Sequence, residues 1–241
     1  VREPAFAMRE VEYHGEMPVD EYVAKLGLNS VIDRKNRPSV NLKEGFPEVY
    51  AQLNPQLQDR PGRSGGESPT LKACRDADVA YYAMLYGNNF QLWSSSLYDA
   101  AVRAFPSIRG TPAPSSWEQA TLCPSDPNTW NLIDAYVREY MDRSGADGLV
   151  ATFWDDFGLH CQCPRCVKNG LNQFPNEVYE CVKHYHQVLS SMGKTLIVRT
   201  WSSGAPHWLE DRWVNAPGYG QFGGSGVELW GRVIKELPKD I

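Results

Sequence analysis

Two adjacent carboxylates, Asp155 and Asp156, close an apolar run that reads Ala146-Asp147-Gly148-Leu149-Val150-Ala151-Thr152-Phe153-Trp154. Such a run has the character of a buried strand. A carboxylate pair at a strand end suits cleavage of a glycosidic bond, where one group protonates the leaving oxygen and the other acts on the sugar or on water. Successive strand residues point to opposite faces, so Thr152, Trp154 and Asp156 share one phase, and Ala151, Phe153 and Asp155 the other. The small apolar phase suits a helix layer, which turns Asp156 inward. The competing role for either aspartate is a helix cap or an ion pair with an arginine.

Further along, Arg199 and Trp201 share a phase at the end of Lys194 to Trp201, a second β-rich run. A guanidinium there can hold a sugar carboxylate through a forked hydrogen-bond pair, and an indole can stack on a pyranose face. Neutralising one of the aspartates is the alternative task for Arg199. His207 and Trp208 open a glycine-rich loop, where substrate contact and simple rim packing both stand as readings.

His160, Cys161, Cys163 and Cys166 place four soft ligands within seven residues. The Cys163-to-Cys166 spacing suits a tetrahedral zinc knuckle. Cys181 or His184 on a following helix could supply a further ligand. One local disulfide with a free thiol competes with the metal. Either arrangement would be a structural staple for the loop behind the aspartates, with no chemistry on substrate.

The elements that must position these groups alternate β-rich runs with helical periodicity, which argues for βα units on a parallel sheet. Strands are expected over 7–13, 28–33, 79–86 and 146–154, with the fifth at 194–201. Helices are expected over 19–26, 96–105, 130–141, 176–192, the last of these capped by Asn176, and over 227–236. Val19, Tyr22, Val23 and Leu26 keep i, i+3, i+4, i+7 spacing. Ser125 or Asp126 can cap a helix that has Pro127 in its first turn. Residues 34–76, polar and rich in Pro and Gly, read as an excursion on the side of the reactive groups or as a poorly ordered loop. Leu237 to Ile241 reads as the approach to a sixth strand.

The whole chain, 1–241, is expected to be a single domain of (β/α)8 TIM-barrel type, incomplete at about five βα units, because a full barrel needs roughly two to three more. Formal net charge is −5 and no basic run tracks a phosphate backbone, which argues against nucleic acid. No stretch approaches the ~20 apolar residues of a membrane helix. Eight Trp and twelve Tyr offer stacking surfaces for sugar, although core packing uses the same residues. The chain opens on Val1 with no charged and apolar leader, so a cleaved signal and an internal start are both open. A secreted or periplasmic setting is expected ahead of a cytoplasmic one.

Several patches resemble the barrel of α-glucuronidase-like glycoside hydrolases: Arg9-Glu10-Val11, Leu26-Gly27-Leu28-Asn29, Phe46-Pro47-Glu48-Val49-Tyr50-Ala51, Phe105-Pro106-Ser107-Ile108-Arg109-Gly110-Thr111 and Leu122-Cys123-Pro124-Ser125-Asp126-Pro127. The strongest patch spans 145–166, where the Asp-Gly strand runs into Phe157-Gly158 with Cys-x-Cys-x-x-Cys behind it. The tandem aspartates are also similar to those of β-N-acetylhexosaminidases that use substrate-assisted catalysis. The resemblance implies a glycosidase with its general acid at Asp155 or Asp156, acting on an oligo- or polysaccharide that carries uronic acid or amino sugar. It implies companion base groups on later strands, supplied by further chain segments or another subunit. No catalytic cofactor is expected, only a structural zinc. The contrasting readings are a sugar-binding barrel without turnover and a zinc-stapled interaction domain.

Overall fold

The computed structural model describes residues 10–13, 17–33, 38–58, 68–86, 95–111, 121–152, 161–172, 174–199 and 235–236. Within them runs a five-stranded, wholly parallel sheet: β1 (Glu10–Tyr13), β2 (Ser30–Asp33), β3 (Ala80–Tyr86), β4 (Gly148–Thr152) and β5 (Thr195–Arg199). Each strand lies beside its predecessor, in the order β1-β2-β3-β4-β5. The mixed α/β class and the five strands expected from the βα rhythm are present.

Both faces of the sheet are buried, but by different partners. Val31, Tyr81, Ala83, Leu85, Leu149, Ala151 and Leu196 face the helices and form one cluster with them. The alternate residues Ile32, Tyr82, Met84 and Val150, with Ala80 and Ile197 against them, form a second cluster, made among the described residues of strand side chains. That double burial explains why the strands read as near-continuous apolar runs. It also puts Ala151 in the helix-facing phase, as its small side chain suggests.

The helices follow local signals. α1 (Val19–Leu26) matches its apolar spacing and ends at Gly27. The segment 34–76, read as excursion or loop, instead holds α2 (Pro47–Ala51), α3 (Pro55–Gln58) and α4 (Pro69–Asp76). Each begins on a proline, which is suited to a first helical position because it has no N–H to satisfy. The Ser68 hydroxyl accepts from Leu71 N–H at 3.0 Å, and Leu71 and Cys74 turn into the core. High Pro and polar content therefore marked helix starts as well as loop.

α5 (Ser95–Ala104) is followed by a 3-10 turn, Pro106–Ile108. α6 (Pro127–Ser144) runs longer at both ends than its periodicity indicates, capped by Asp126, whose carboxylate accepts from Asn128 N–H at 3.1 Å. Leu132, Ile133, Tyr136, Val137 and Tyr140 are buried along it, and the Tyr140 hydroxyl donates to Met84 O at 2.8 Å. α7 (Pro164–Lys168) is a short turn of helix inside the cysteine segment. α8 (Phe174–Ser191) starts ahead of Asn176, so Asn176 is not its cap; the side-chain amide donates to Gly170 O at 2.9 Å instead. Of the helix expected over 227–236, only residues 235 and 236 are described, both helical; the expected sixth-strand approach lies outside the described residues.

Candidate metal centre

Connections after a strand of a parallel sheet leave from its carboxyl edge. α6 leads into β4 through residues 145–147, so its C-terminus sits at the amino edge. Its 18 residues at 1.5 Å each carry it about 27 Å back. The start of α6 and the loop after β4 are thereby brought to the same edge, and there four cysteines meet.

Cys123, Cys161, Cys163 and Cys166 present sulfurs that all lie within 4.8 Å of one another and could hold a metal ion. Cys123 Sγ is 3.6 Å from Cys163 Sγ and 3.5 Å from Cys166 Sγ. Cys123, Cys161 and Cys166 are buried, Cys163 half-buried, and all six cysteines of the chain are free thiols. The competing disulfide reading of this segment is therefore not realised.

Each ligand is fixed by its own backbone. Arg109 and Leu122 form an antiparallel bridge, and Gly110 N–H donates to Thr121 O at 2.6 Å. A Cβ on Gly110 would stand 2.6 Å from Thr121 Cγ2 and 2.8 Å from Thr121 O, so only glycine allows this approach. Cys123 N–H then donates to Ile108 O at 2.7 Å, and Cys123 O accepts from the Thr129 hydroxyl at 2.7 Å. On the other side, Gln162 N–H donates to Thr111 O at 2.7 Å, and Cys163 occupies the cap position of α7, which presents Cys166 from its interior.

Donors point at the sulfurs. Thr111 N–H donates to Cys161 Sγ at 3.3 Å. The Arg165 guanidinium lies 3.6 Å from Cys123 Sγ, 3.6 Å from the Asp126 carboxylate and 3.3 Å from Ser107 O. Hydrogen bonds from the Cys161 and Cys166 thiols hold Cys123 far below the usual thiol range, to about 2, despite its burial. The same bonds to Cys123 push Cys161 strongly up and Cys166 up to about 12, with burial adding to both.

Among the described residues, the group that could hold a metal joins one further cysteine to the three named from spacing. The fourth ligand among the described residues is Cys123, which lies far upstream of Cys161, before α6 and β4. Neither Cys181 nor His184 joins it. Cys181 is buried in the helix–sheet core. His184 Nδ1 lies 3.0 Å from Asp134 Oδ1, and its ring stacks on Trp130 at 4.3 Å between centroids. His160 lies outside the described residues. One signal for Cys123 was present: Cys123-Pro124 and Cys163-Pro164 are both Cys-Pro pairs at or just ahead of a helix start.

Trp154, Asp155, Asp156, Trp201, His207 and Trp208 also lie outside the described residues. Arg199 is the last residue of β5, in register with Thr152, the last of β4. Asp33, which no motif marks, ends β2 as a buried carboxylate that accepts from the Tyr81 hydroxyl at 3.0 Å. No protein-family model and no curated protein matches the chain. Among the described residues, no helix is long and apolar enough to cross a membrane.

Proposed function

We propose that the five parallel strands belong to a (β/α)8-type barrel and that the protein is a glycoside hydrolase acting on a glycan with uronic-acid or amino-sugar units. The observation that carries this reading is the pairing of sequential strand order with unequal faces. A parallel sheet in sequential strand order, with helices on one face and, among the described residues, strand side chains on the other, is how a barrel wall is built. In such a barrel, chemistry belongs to the loops at the carboxyl edge. Asp155 and Asp156 follow closely on Thr152, the end of β4, and Trp201 on Arg199, the end of β5. The remaining strands come from outside the described residues.

In this reading one aspartate is the general acid, Trp154, Trp201 and Trp208 offer stacking faces, and Arg199 with His207 recognises polar groups of the sugar. The cysteine centre holds a structural zinc: four thiolates leave no open position for water or substrate, so the ion takes no part in turnover. A polymeric glycan suits a secreted or periplasmic setting. The test uses the complete enzyme and matched substrates with poor and good leaving groups. Replacing the acid with Asn is expected to cut turnover of the poor-leaving-group substrate about 10²–10⁴-fold and to affect the other less. Full activity in both Asp155→Asn and Asp156→Asn would overturn the assignment.

A further inference from the structure

We infer that Cys123, Cys161, Cys163 and Cys166 are the four thiolate ligands of a single zinc ion, and that this ion ties the segment leading into α6 to the loop after β4. The inference rests on the cysteine geometry and stands whether or not the protein cleaves glycans. Four ligands about 2.3 Å from one tetrahedral zinc must lie about 3.8 Å from one another. The two Sγ–Sγ separations, 3.5 and 3.6 Å, and the 4.8 Å bound on the rest match a mononuclear site. A tetrathiolate zinc carries two negative charges, and the surroundings suit that charge: an N–H from Thr111 on Cys161 and the Arg165 guanidinium beside Cys123.

The tie is long-range in sequence. Cys161, Cys163 and Cys166 come from one short stretch, whereas Cys123 arrives on the other side of α6 and β4. Besides the sulfurs, the two segments are joined by Gln162 N–H to Thr111 O, by Arg165 to Ser107 O and to the Asp126 carboxylate, and by Asn169 Nδ2 to Ser125 Oγ at 3.4 Å. The Arg165 and Asn169 contacts reach the surface and compete with water. A metal joining four buried or half-buried sulfurs therefore adds to the Gln162–Thr111 backbone bond a restraint that water does not compete for.

The experiment uses the full chain, purified without added chelator, and measures metal content, cobalt spectra and hydrogen exchange. We expect one zinc per chain, and cobalt replacement with the intense sulfur-to-metal charge transfer and ligand-field bands of a tetrahedral tetrathiolate. Mercurial titration should release that zinc as four thiols are modified, with Cys74 and Cys181 unreactive. Cys123→Ser should weaken zinc binding by more than the roughly 10–100-fold that loss of even an outer-shell partner typically costs, whereas His160→Ala and Cys181→Ser should leave it unchanged. Zinc removal should raise exchange in 109–123 and in 161–171 together. Asp155→Asn and Asp156→Asn should keep full zinc, which separates this inference from the catalytic one. No metal, iron in place of zinc, undiminished affinity in Cys123→Ser, or exchange confined to 161–171 would each overturn it. Should Cys123→Ser fail to fold, the four-thiol release stoichiometry of the unaltered chain still decides the ligand count.

Discussion

Gly148 opens β4, the strand that runs toward the two aspartates, and it is squeezed between its neighbours in register, Tyr82 on β3 and Thr195 on β5. A Cβ added there would stand 2.5 Å from Tyr82 Cε1, 2.7 Å from Tyr82 Cδ1 and 2.6 Å from Thr195 O. Carbon atoms rest at about 3.5–4.0 Å, so the ring would have to retreat by about 1 Å. It cannot do so freely, since Tyr82 is buried among Ile32, Met84 and Val150. Moving Thr195 O means moving the β5 backbone. Overpacking of this kind costs about 1–3 kcal/mol, and contact with both a buried ring and a backbone oxygen argues for the upper half. The stiffer unfolded chain returns about 0.4–1 kcal/mol. Gly148→Ala is thus expected to destabilise by about 1–2.5 kcal/mol. At about 2–4 °C per kcal/mol for a chain of this size, Tm falls by about 2–10 °C. Urea unfolding with an unchanged m value, combined with Tyr82→Leu in a double-mutant cycle, isolates the contact. The coupling should reach about 0.5 kcal/mol or more, the range of residues in contact, with Tyr82→Leu costing less in the Ala background. A Gly148→Ala protein within about 0.5 kcal/mol of the parent, as for a substitution that meets nothing, or strict additivity with Tyr82→Leu, would refute the placement of Tyr82 over Gly148. The phase assignment of β4 would fall with it.

Two other perturbations probe the frame. The Glu139 carboxylate accepts from Asn41 N–H at 3.0 Å and Leu42 N–H at 2.7 Å and pairs with Arg143 at 2.8 Å, holding Leu42 at a left-handed φ of 62°. Glu139→Ala should cost about 2–3 kcal/mol by chemical denaturation, since hydrogen bonds to a charged acceptor contribute about 1.5–3 kcal/mol; a loss under about 0.5 kcal/mol would contradict that role. The Cys74 thiol is pushed up to about 12, first by burial and then by the negative charges of Asp33 and Asp147. The folded protein then keeps a proton that the unfolded chain releases from about pH 8.5 upward. Its contribution is complete below that pH and is lost as pH rises through about 12. Unfolding free energy measured from about pH 8.5 to about 11 should fall less steeply in Cys74→Ala than in the parent; parallel slopes would sink the assignment.

The four-sulfur centre also bears on how the edge is built. Cys123 and Cys163 each precede a proline at or just ahead of a helix start, one before β4 in the chain and one after it. Gly110 lets the bridge at Thr121 and Leu122 come close enough to bring Cys123 in. Substituting Gly110 would act on the four-cysteine cluster from a distance, through backbone.

Periodicity along the chain was enough to place α1 at 19–26, the buried face of α6 and the five strands, because those signals are local. Apolar residues recurring at 3.6 or 2 mark the face that leaves water whatever it packs against. Asp126 before Pro127 marked a helix start for the same reason, as the cap bonds to its own chain. Prolines in 34–76 were ambiguous, since the same residue breaks a helix inside and begins one at its end; which applied depended on whether Leu71 and Cys74 found a core. The cysteines show the limit most clearly. Three of the ligands could be named from spacing alone, because a short loop can bend onto itself. The fourth could not. Cys123 reaches them only because α6 runs back to the amino edge and β4 returns, and nearness between segments so far apart in sequence is a property of the folded chain. His184 and Cys181, equally reasonable by residue type, were diverted to Asp134 and to the core by the rotation of α8, which tertiary packing decides.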